Sequence, residues 1–239
     1  MPKTAHELTR KEMKGPDYFQ TVASEVAAWV AKRQKQLALG ALALLVLALI
    51  GIGISFAVRS SREKASEALY TAVEDASGEV SSIPLPNFTA PIYKTPEEKE
   101  QAVLAAAEKV RKGYAHTASA TTAALLEGDA QLALGHFDEA ITAYQSFLAE
   151  ISPTDPLRFG GLDGLARAKE GKGDLDGAAA TYRQATQIAG FKDLAQLELA
   201  RVLAKAGKKD EARAALEAVP KDSAYETTAQ ERLARLGAK

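Results

Sequence analysis

GHFDEAITAYQSF from Gly135, GDLDGAAATYRQA from Gly173 and GKKDEARAALEAV from Gly207 are versions of one pattern. Each opens on glycine, has aspartate three residues later (Asp138, Asp176, Asp210) and alanine at the fifth following position (Ala140, Ala178, Ala212). A large side chain, Tyr144, Tyr182 or Leu216, comes four residues after each alanine. The glycines lie 38 and 34 residues apart. A supersecondary unit recurring at such a period cannot bury its apolar face alone and must stack on its neighbours, so the pattern predicts an array of helical hairpins.

Each residue type has a mechanical part in such a unit. Glycine is expected to end a first helix in the left-handed conformation, and aspartate to cap a second helix. Alanine lets the two helices pack closely, and the large side chain fills the gap to the next hairpin. The strings resemble tetratricopeptide repeats, whose period is about 34 residues. First helices then fall near residues 121–134, 159–172 and 194–206, with Pro153 and Pro156 terminating the helix before the second of these. A last helix over 225–236 resembles a terminal cap.

Toward the N-terminus a further helix begins at Glu97, with Thr95 as its N-cap, Pro96 at the first position and Val103, Ala107, Val110 and Tyr114 as its apolar stripe. Pro84, Pro86, Pro91 and Pro96 interrupt residues 78–96, which read as a loop. Asn87-Phe88-Thr89 within it is formally a glycosylation sequon. A helix over 62–76 precedes the loop, with Ala65, Leu69, Ala72, Val73 and Ala76 on one side.

The next stretch differs in kind. Between Gln36 and Val58 there is no charge in 23 consecutive positions, and LALGALALLVLALIGIGISFAV fills residues 37–58. As a helix those residues reach about 33 Å, against a hydrocarbon core of about 30 Å. The run is too long for the apolar part of a cleaved signal peptide, and 36 largely hydrophilic residues precede it, so it reads as an uncleaved signal anchor. Basic residues adjoin it equally on both sides: Lys32, Arg33 and Lys35 before, Arg59, Arg62 and Lys64 after. The whole tail carries seven basic and four acidic residues, a net of +3, and the rest of the chain 23 and 27, a net of −4. That asymmetry favours a cytoplasmic N-terminus. Within the tail a helix is expected from a cap at Asp17 to Lys35, with Phe19, Val22, Val26, Trp29 and Val30 on one stripe. It either anchors the span at the interface or lies in the plane of the cytoplasmic leaflet. Gly51 with Ser55, and Gly53 with Ala57, are small pairs at a spacing that lets a second helix approach.

Composition excludes several chemistries. The chain has no cysteine, so disulfides, Cys-ligated zinc and thiol nucleophiles do not arise. A net charge of −1 and 6% aromatic residues argue against nucleic acid as a partner. His6, His116 and His136 have no partner at metal-ligand spacing, there is no phosphate-binding glycine loop, and Glu139 and Glu170 belong to a mixed-charge helical surface. Neither an enzyme nor a small-molecule or cofactor site is expected.

The repeat resemblance implies a peptide-binding concave face lined by the first helices, where Leu125, Asp129, Leu132, Asp163, Arg167, Arg201 and Lys205 should be displayed. The carboxylate clamp of chaperone-binding repeats needs asparagine there, and Asn87 is the sole asparagine of the chain. A tail over 1–36, an anchor over 37–58, a connecting helix over 59–77, a proline-rich loop over 78–96 and a repeat domain over 97–239, ending in LARVLAKAGKKDEARAALEAVP (199–220), resemble the YfgM family of ancillary SecYEG translocon subunits. The basic tail is longer than that family implies. The expected fold is all-α, an N-terminal transmembrane helix followed by a tetratricopeptide-repeat α-solenoid. The resemblance implies a single-pass protein of the bacterial inner membrane, its C-terminal domain periplasmic. Its partners would be the translocon, periplasmic chaperones or secreted clients, with the lipid bilayer around residues 37–58. The alternative is a scaffold subunit of an envelope complex serving division, motility or outer-membrane assembly.

Overall fold

The computed structural model describes residues 18–83 and 89–237. His6, the expected cap Asp17, Pro84, Pro86 and the Asn87-Phe88 part of the sequon lie outside them. In chain order the elements are α1 (Tyr18–Ala76), β1 (Glu79–Val80), β2 (Ile92–Tyr93), α2 (Pro96–Gly113), α3 (Ala118–Ala133), α4 (Phe137–Glu150), α5 (Leu157–Gly171), α6 (Leu175–Ala185), α7 (Lys192–Lys205), α8 (Lys209–Glu217) and α9 (Glu226–Gly237). The chain divides into two compact units at Arg59 and Ser60.

In the first unit α1 continues unbroken from the charged Lys32, Arg33 and Lys35 into the apolar run. Residues 22–59 are all exposed within the chain, Leu44 and Phe56 at 69% and 75%. By length and composition α1 is able to cross a membrane, its most apolar 18-residue window having a mean hydropathy of 2.8. The Arg33 guanidinium lies 4.8 Å from the ring centre of Trp29, a cation–π contact between residues one helical turn apart.

The second unit is an all-α solenoid of hairpins α3–α4, α5–α6 and α7–α8, with α2 packed on α3 and α9 on α8. Alanine-rich contacts hold it together: Ala140, Ala178 and Ala212 are completely buried, as are Tyr144 and Tyr182, and Leu216 is nearly so. The first helices begin two or three residues earlier than the spacing predicts. Thr117 explains one of these starts, its hydroxyl accepting the Ala120 N–H at 3.2 Å.

The glycine turns form as expected. Gly135, Gly173 and Gly207 have φ of 78°, 90° and 78°. In each, two carbonyls of the last turn are satisfied by successive N–H groups: His136 donates to Gln131 and Gly135 to Leu132, at 2.9 and 3.1 Å, with the same pairs at 173 and 207. This is the Schellman arrangement, which glycine enters without the Cβ penalty of other residues.

The aspartates three residues after the glycines do not cap the second helices as expected; among the residues that do stand at the caps, Asp174 accepts the Gly177 N–H at 2.8 Å. The residue directly after each glycine, His136, Asp174 or Lys208, occupies the N-cap, so Asp138, Asp176 and Asp210 lie inside the first turn. The tight glycine turn leaves only one residue before the next helix begins. At the helix entrance the carboxylates still meet the positive end of the helix dipole. Asp138 pairs with Lys172, and Asp176 with Lys208 at 2.6 Å, each lysine belonging to the following hairpin.

Ala65 and Ala72 in the last turns of α1 are completely buried, and Ala68 and Leu69 pack with Val110 and Ala123. Val73, expected on the same stripe, is 45% exposed. Within residues 78–96 the chain forms a short parallel pairing of Glu79 with Ile92 and Val80 with Tyr93. The Tyr93 hydroxyl donates to Asp75 at 2.6 Å, tying that segment back to the end of α1. α2 starts as the sequence predicts: the Thr95 hydroxyl accepts the Glu98 N–H at 3.1 Å with Pro96 at the first position.

Tyr144 sets the spacing between the first two hairpins. A Cβ on Gly128 of α3 would stand 2.7 Å from its ring, and one on Gly164 of α5 would stand 2.2 Å from it. The ring therefore fills the space that glycine leaves on both helices. Gly164→Ala is expected to lower stability by about 1–3 kcal/mol through overpacking. Gly160→Ala, with no atom near the new Cβ, is expected to be neutral or stabilising by up to about 1 kcal/mol. Denaturant unfolding of the full chain in detergent, followed by helical circular dichroism, checks both; equal effects would contradict the wedge.

Candidate functional site

The first helices α3, α5 and α7 carry all seven residues expected on the binding face. Leu125 and Leu132 are half-buried and pack against the cluster of Ala140, Tyr144, Leu165 and Ala168. The charged five divide into two neighbouring groups, one on α3 and α5 and the other bridging α5 and α7.

In the first group Asp129 accepts the Tyr144 hydroxyl at 2.6 Å. Asp163 accepts the Tyr182 hydroxyl at 2.8 Å and pairs with Arg167 at 2.9 Å. Asp129 keeps contact with solvent, yet the protein crowding its carboxylate raises its pKa above the ordinary aspartate value. The Asp163 charge adds to that rise, and the Tyr144 hydrogen bond opposes it. Burial beside these carboxylates also moves both tyrosine hydroxyls upward, so they remain donors.

The second group centres on Glu170. Both its oxygens receive Arg201, from Nη1 and Nη2 at 2.8 Å each, and Lys205 adds a third donor at 3.0 Å. Arg201 Nε meanwhile donates to Glu198 at 2.7 Å, and Arg232 of α9 approaches the same carboxylate at 3.7 Å. A planar guanidinium facing a carboxylate with two parallel N–H groups is the strongest form of this contact. The Arg201 hydrogen bonds, joined by Lys205 and set against the cost of burial, hold the Glu170 carboxyl at about 2.

The sequence reading leaves Glu170 in a mixed-charge surface, whereas it is the hub of this group, and it omits Glu198, Arg232 and the tyrosine hydroxyls. The recurrence of tyrosine at 144 and 182 with an aspartate on each preceding helix is the sequence signal by which the hydroxyl contacts could have been found. His136 uses Nδ1 to meet Gln131 at 2.8 Å, a local contact at its turn.

Beside Arg201 a cleft of about 780 Å³ opens among α7, α8 and α9. Ala200, Ala204, Leu216 and Leu236 supply its apolar wall, and Arg201, Lys209, Arg232 and Arg235 its polar one. Among its lining residues there is no carboxylate.

A tetratricopeptide-repeat family model matches residues 171–236, and a second one residues 122–150. No curated protein sequence matches the chain. Among solved structures, a Podosopora anserina protein named as a kinesin light chain, with nearly identical TPR-like repeats, is similar at 19% identity and a TM-score of 0.49, covering 75% of this chain and 84% of that one.

The Glu170 contact has a pH signature. Its pKa is lowered on folding, so its contribution is present above the ordinary glutamate value and is lost as pH falls toward about 2. Glu170→Gln is expected to be less stable than the wild type at neutral pH, with the difference shrinking across that acid range. Unfolding midpoints of both proteins measured from neutral pH to acid check this, and a difference independent of pH would contradict it. The matched models over residues 122–150 and 171–236, the glycine turns and the all-α solenoid agree on a tetratricopeptide-like repeat fold for this part of the chain.

Proposed function

We propose that the chain is a single-pass membrane adaptor whose repeats bind other proteins on the periplasmic side of the secretion translocon. The observation that carries the membrane half is the exposed apolar run over residues 37–58 of α1. A leucine-sized side chain left in water forgoes about 1.5–3 kcal/mol of burial, and a bilayer removes that penalty for the whole run at once. Trp29, with Arg33 against its ring, and Lys32 and Lys35 stand where interfacial anchors belong.

The protein-binding half rests on the repeats. Stacked hairpins present a row of first helices, and a row of that kind suits an extended or helical segment of a partner. The translocon and the periplasm come from the resemblance of the overall order of parts to the YfgM family. In this reading 1–36 is the cytoplasmic tail, 37–58 the anchor, 59–77 the helix leaving the membrane, 78–96 a proline-rich connection and 97–239 the binding domain. The residues proposed to meet partners are Leu125, Asp129, Leu132, Asp163, Arg167, Arg201 and Lys205, of which Arg167 and Lys205 are open, at 57% and 56% exposure of the side chain.

A topology reporter fused after Lys239 is expected to be active outside the cytoplasm, and replacing residues 37–58 with a polar linker should move the protein from the membrane to the soluble fraction. Photo-crosslinking from Arg167 and Lys205 should then capture translocon subunits, periplasmic chaperones or secreted proteins. Cytoplasmic reporter activity would overturn the orientation. Adducts drawn only from one fixed division, motility or outer-membrane complex would replace the adaptor with the scaffold reading.

A further inference from the structure

We infer that the cleft among α7, α8 and α9 is a second docking site, selective for an acidic peptide segment that carries an apolar side chain. This rests on the protein-binding reading and adds a place and a partner chemistry to it.

The cleft's two walls differ. Ala204 and Leu236, half-buried, give one wall its accessible apolar surface, over a floor formed by the almost completely buried Ala200 and Leu216. The other wall is cationic, and its members are unequal. Arg201 is committed to Glu170 and Glu198, and Arg232 donates to the Leu197 carbonyl at 2.7 Å. Arg235 reaches only Glu231, at 3.8 Å with the arginine side chain 80% exposed, a pairing of little strength. Lys209 is exposed and has no ion pair among the described residues. Two cations at the mouth are therefore available to an incoming carboxylate, and no lining residue competes as an anion.

Charge complementarity also decides against the chain's own undescribed segments as occupants. Residues 1–17 have a net charge of +1, residues 84–88 carry no charge, and 238–239 add a lysine. None of these is an acidic segment. A volume of about 780 Å³ falls within the range of sites that hold small ligands, enough for a few residues of peptide around one anchoring side chain.

The test uses the full chain in detergent micelles and a short fluorescein-labelled peptide in which a central Leu-Leu pair is flanked by glutamates. Comparison peptides replace the glutamates with glutamines or the leucines with serines. Fluorescence anisotropy should show binding of the first peptide that weakens with salt, and at least about tenfold weaker binding of either comparison peptide. The double variant Lys209→Glu with Arg235→Glu should weaken the first peptide by about tenfold or more, whereas Lys109→Glu on α2 should leave it unchanged. Both cleft substitutions are at exposed positions, and an unchanged circular dichroism spectrum checks the fold.

Equal binding of acidic and glutamine peptides would overturn the inference, as would equal losses in the cleft and Lys109 variants. Self-association of the chain abolished by the cleft variants, with no peptide binding, would assign the cleft to a second copy and overturn the peptide. If the acidic peptide fails while crosslinks from Arg167 and Lys205 still capture partners, the cleft fails and the adaptor stands. If crosslinking fails as well, the adaptor reading fails with it.

Discussion

The interaction on which the repeat domain depends is the entry of the Tyr144 ring into the space left by Gly128 and Gly164. A side chain at either glycine would collide with the ring, so the distance between α3 and α5 is a consequence of two missing Cβ atoms. Tyr144 is completely buried, and its hydroxyl meets Asp129 on the first-helix side. One residue thus fixes the packing between hairpins and places a carboxylate on the exposed face. Tyr182, also completely buried, donates in the same way to Asp163 in the next hairpin. At the third position Leu216 fills the corresponding space without a hydroxyl, and it becomes part of the apolar wall of the terminal cleft.

This explains which parts of the structure were legible in the sequence. Gly135, Gly173 and Gly207 stand out because a left-handed turn has few alternatives to glycine, and Ala140, Ala178 and Ala212 because close helix packing has few alternatives to alanine. Constraints of this kind act within one hairpin and appear at constant spacing. The Asp138 error has the opposite origin: an aspartate near a helix start suits both a cap and a first turn, and only the backbone decides between them. Contacts between hairpins were less visible. Glu170 and Arg201 are 31 residues apart and on different helices, so nothing local distinguishes them from other surface charges. The pairing of Glu79 with Ile92 was hidden by the prolines around it, which disfavour long strands but permit two residues of ladder.

The charges on the first-helix side largely answer one another. Glu170 has three donor contacts, and Asp163 serves Tyr182 and Arg167 together. A partner that took Arg201 for itself would have to strip it from Glu170, whose side chain is only 13% exposed. Removing one member of a half-buried pair leaves the other desolvated without compensation, and that cost subtracts from any new contact. The network therefore stiffens the α5–α7 junction more readily than it supplies binding energy, and the two leucines of the face, Leu125 and Leu132, are partly spent on packing.

Binding energy is easier to obtain where the charges are not yet engaged. Exposed lysine and arginine side chains lose little on meeting a carboxylate, because they surrender no strong internal partner, and the apolar wall beside them gains from every methylene it covers. In this domain those conditions meet at α9. That helix docks through Ala229, Leu233 and Leu236 and ties Arg232 to the Leu197 carbonyl, which leaves Arg235 and the outer side of Leu236 facing the cleft beside α7 and α8. Because α9 packs on α8 without covering this edge, an apolar wall and spare positive charge stand together. The selectivity proposed for the cleft then follows from the way α9 packs beside α7 and α8, with the cations other than the committed Arg201 and Arg232 turned to the open side.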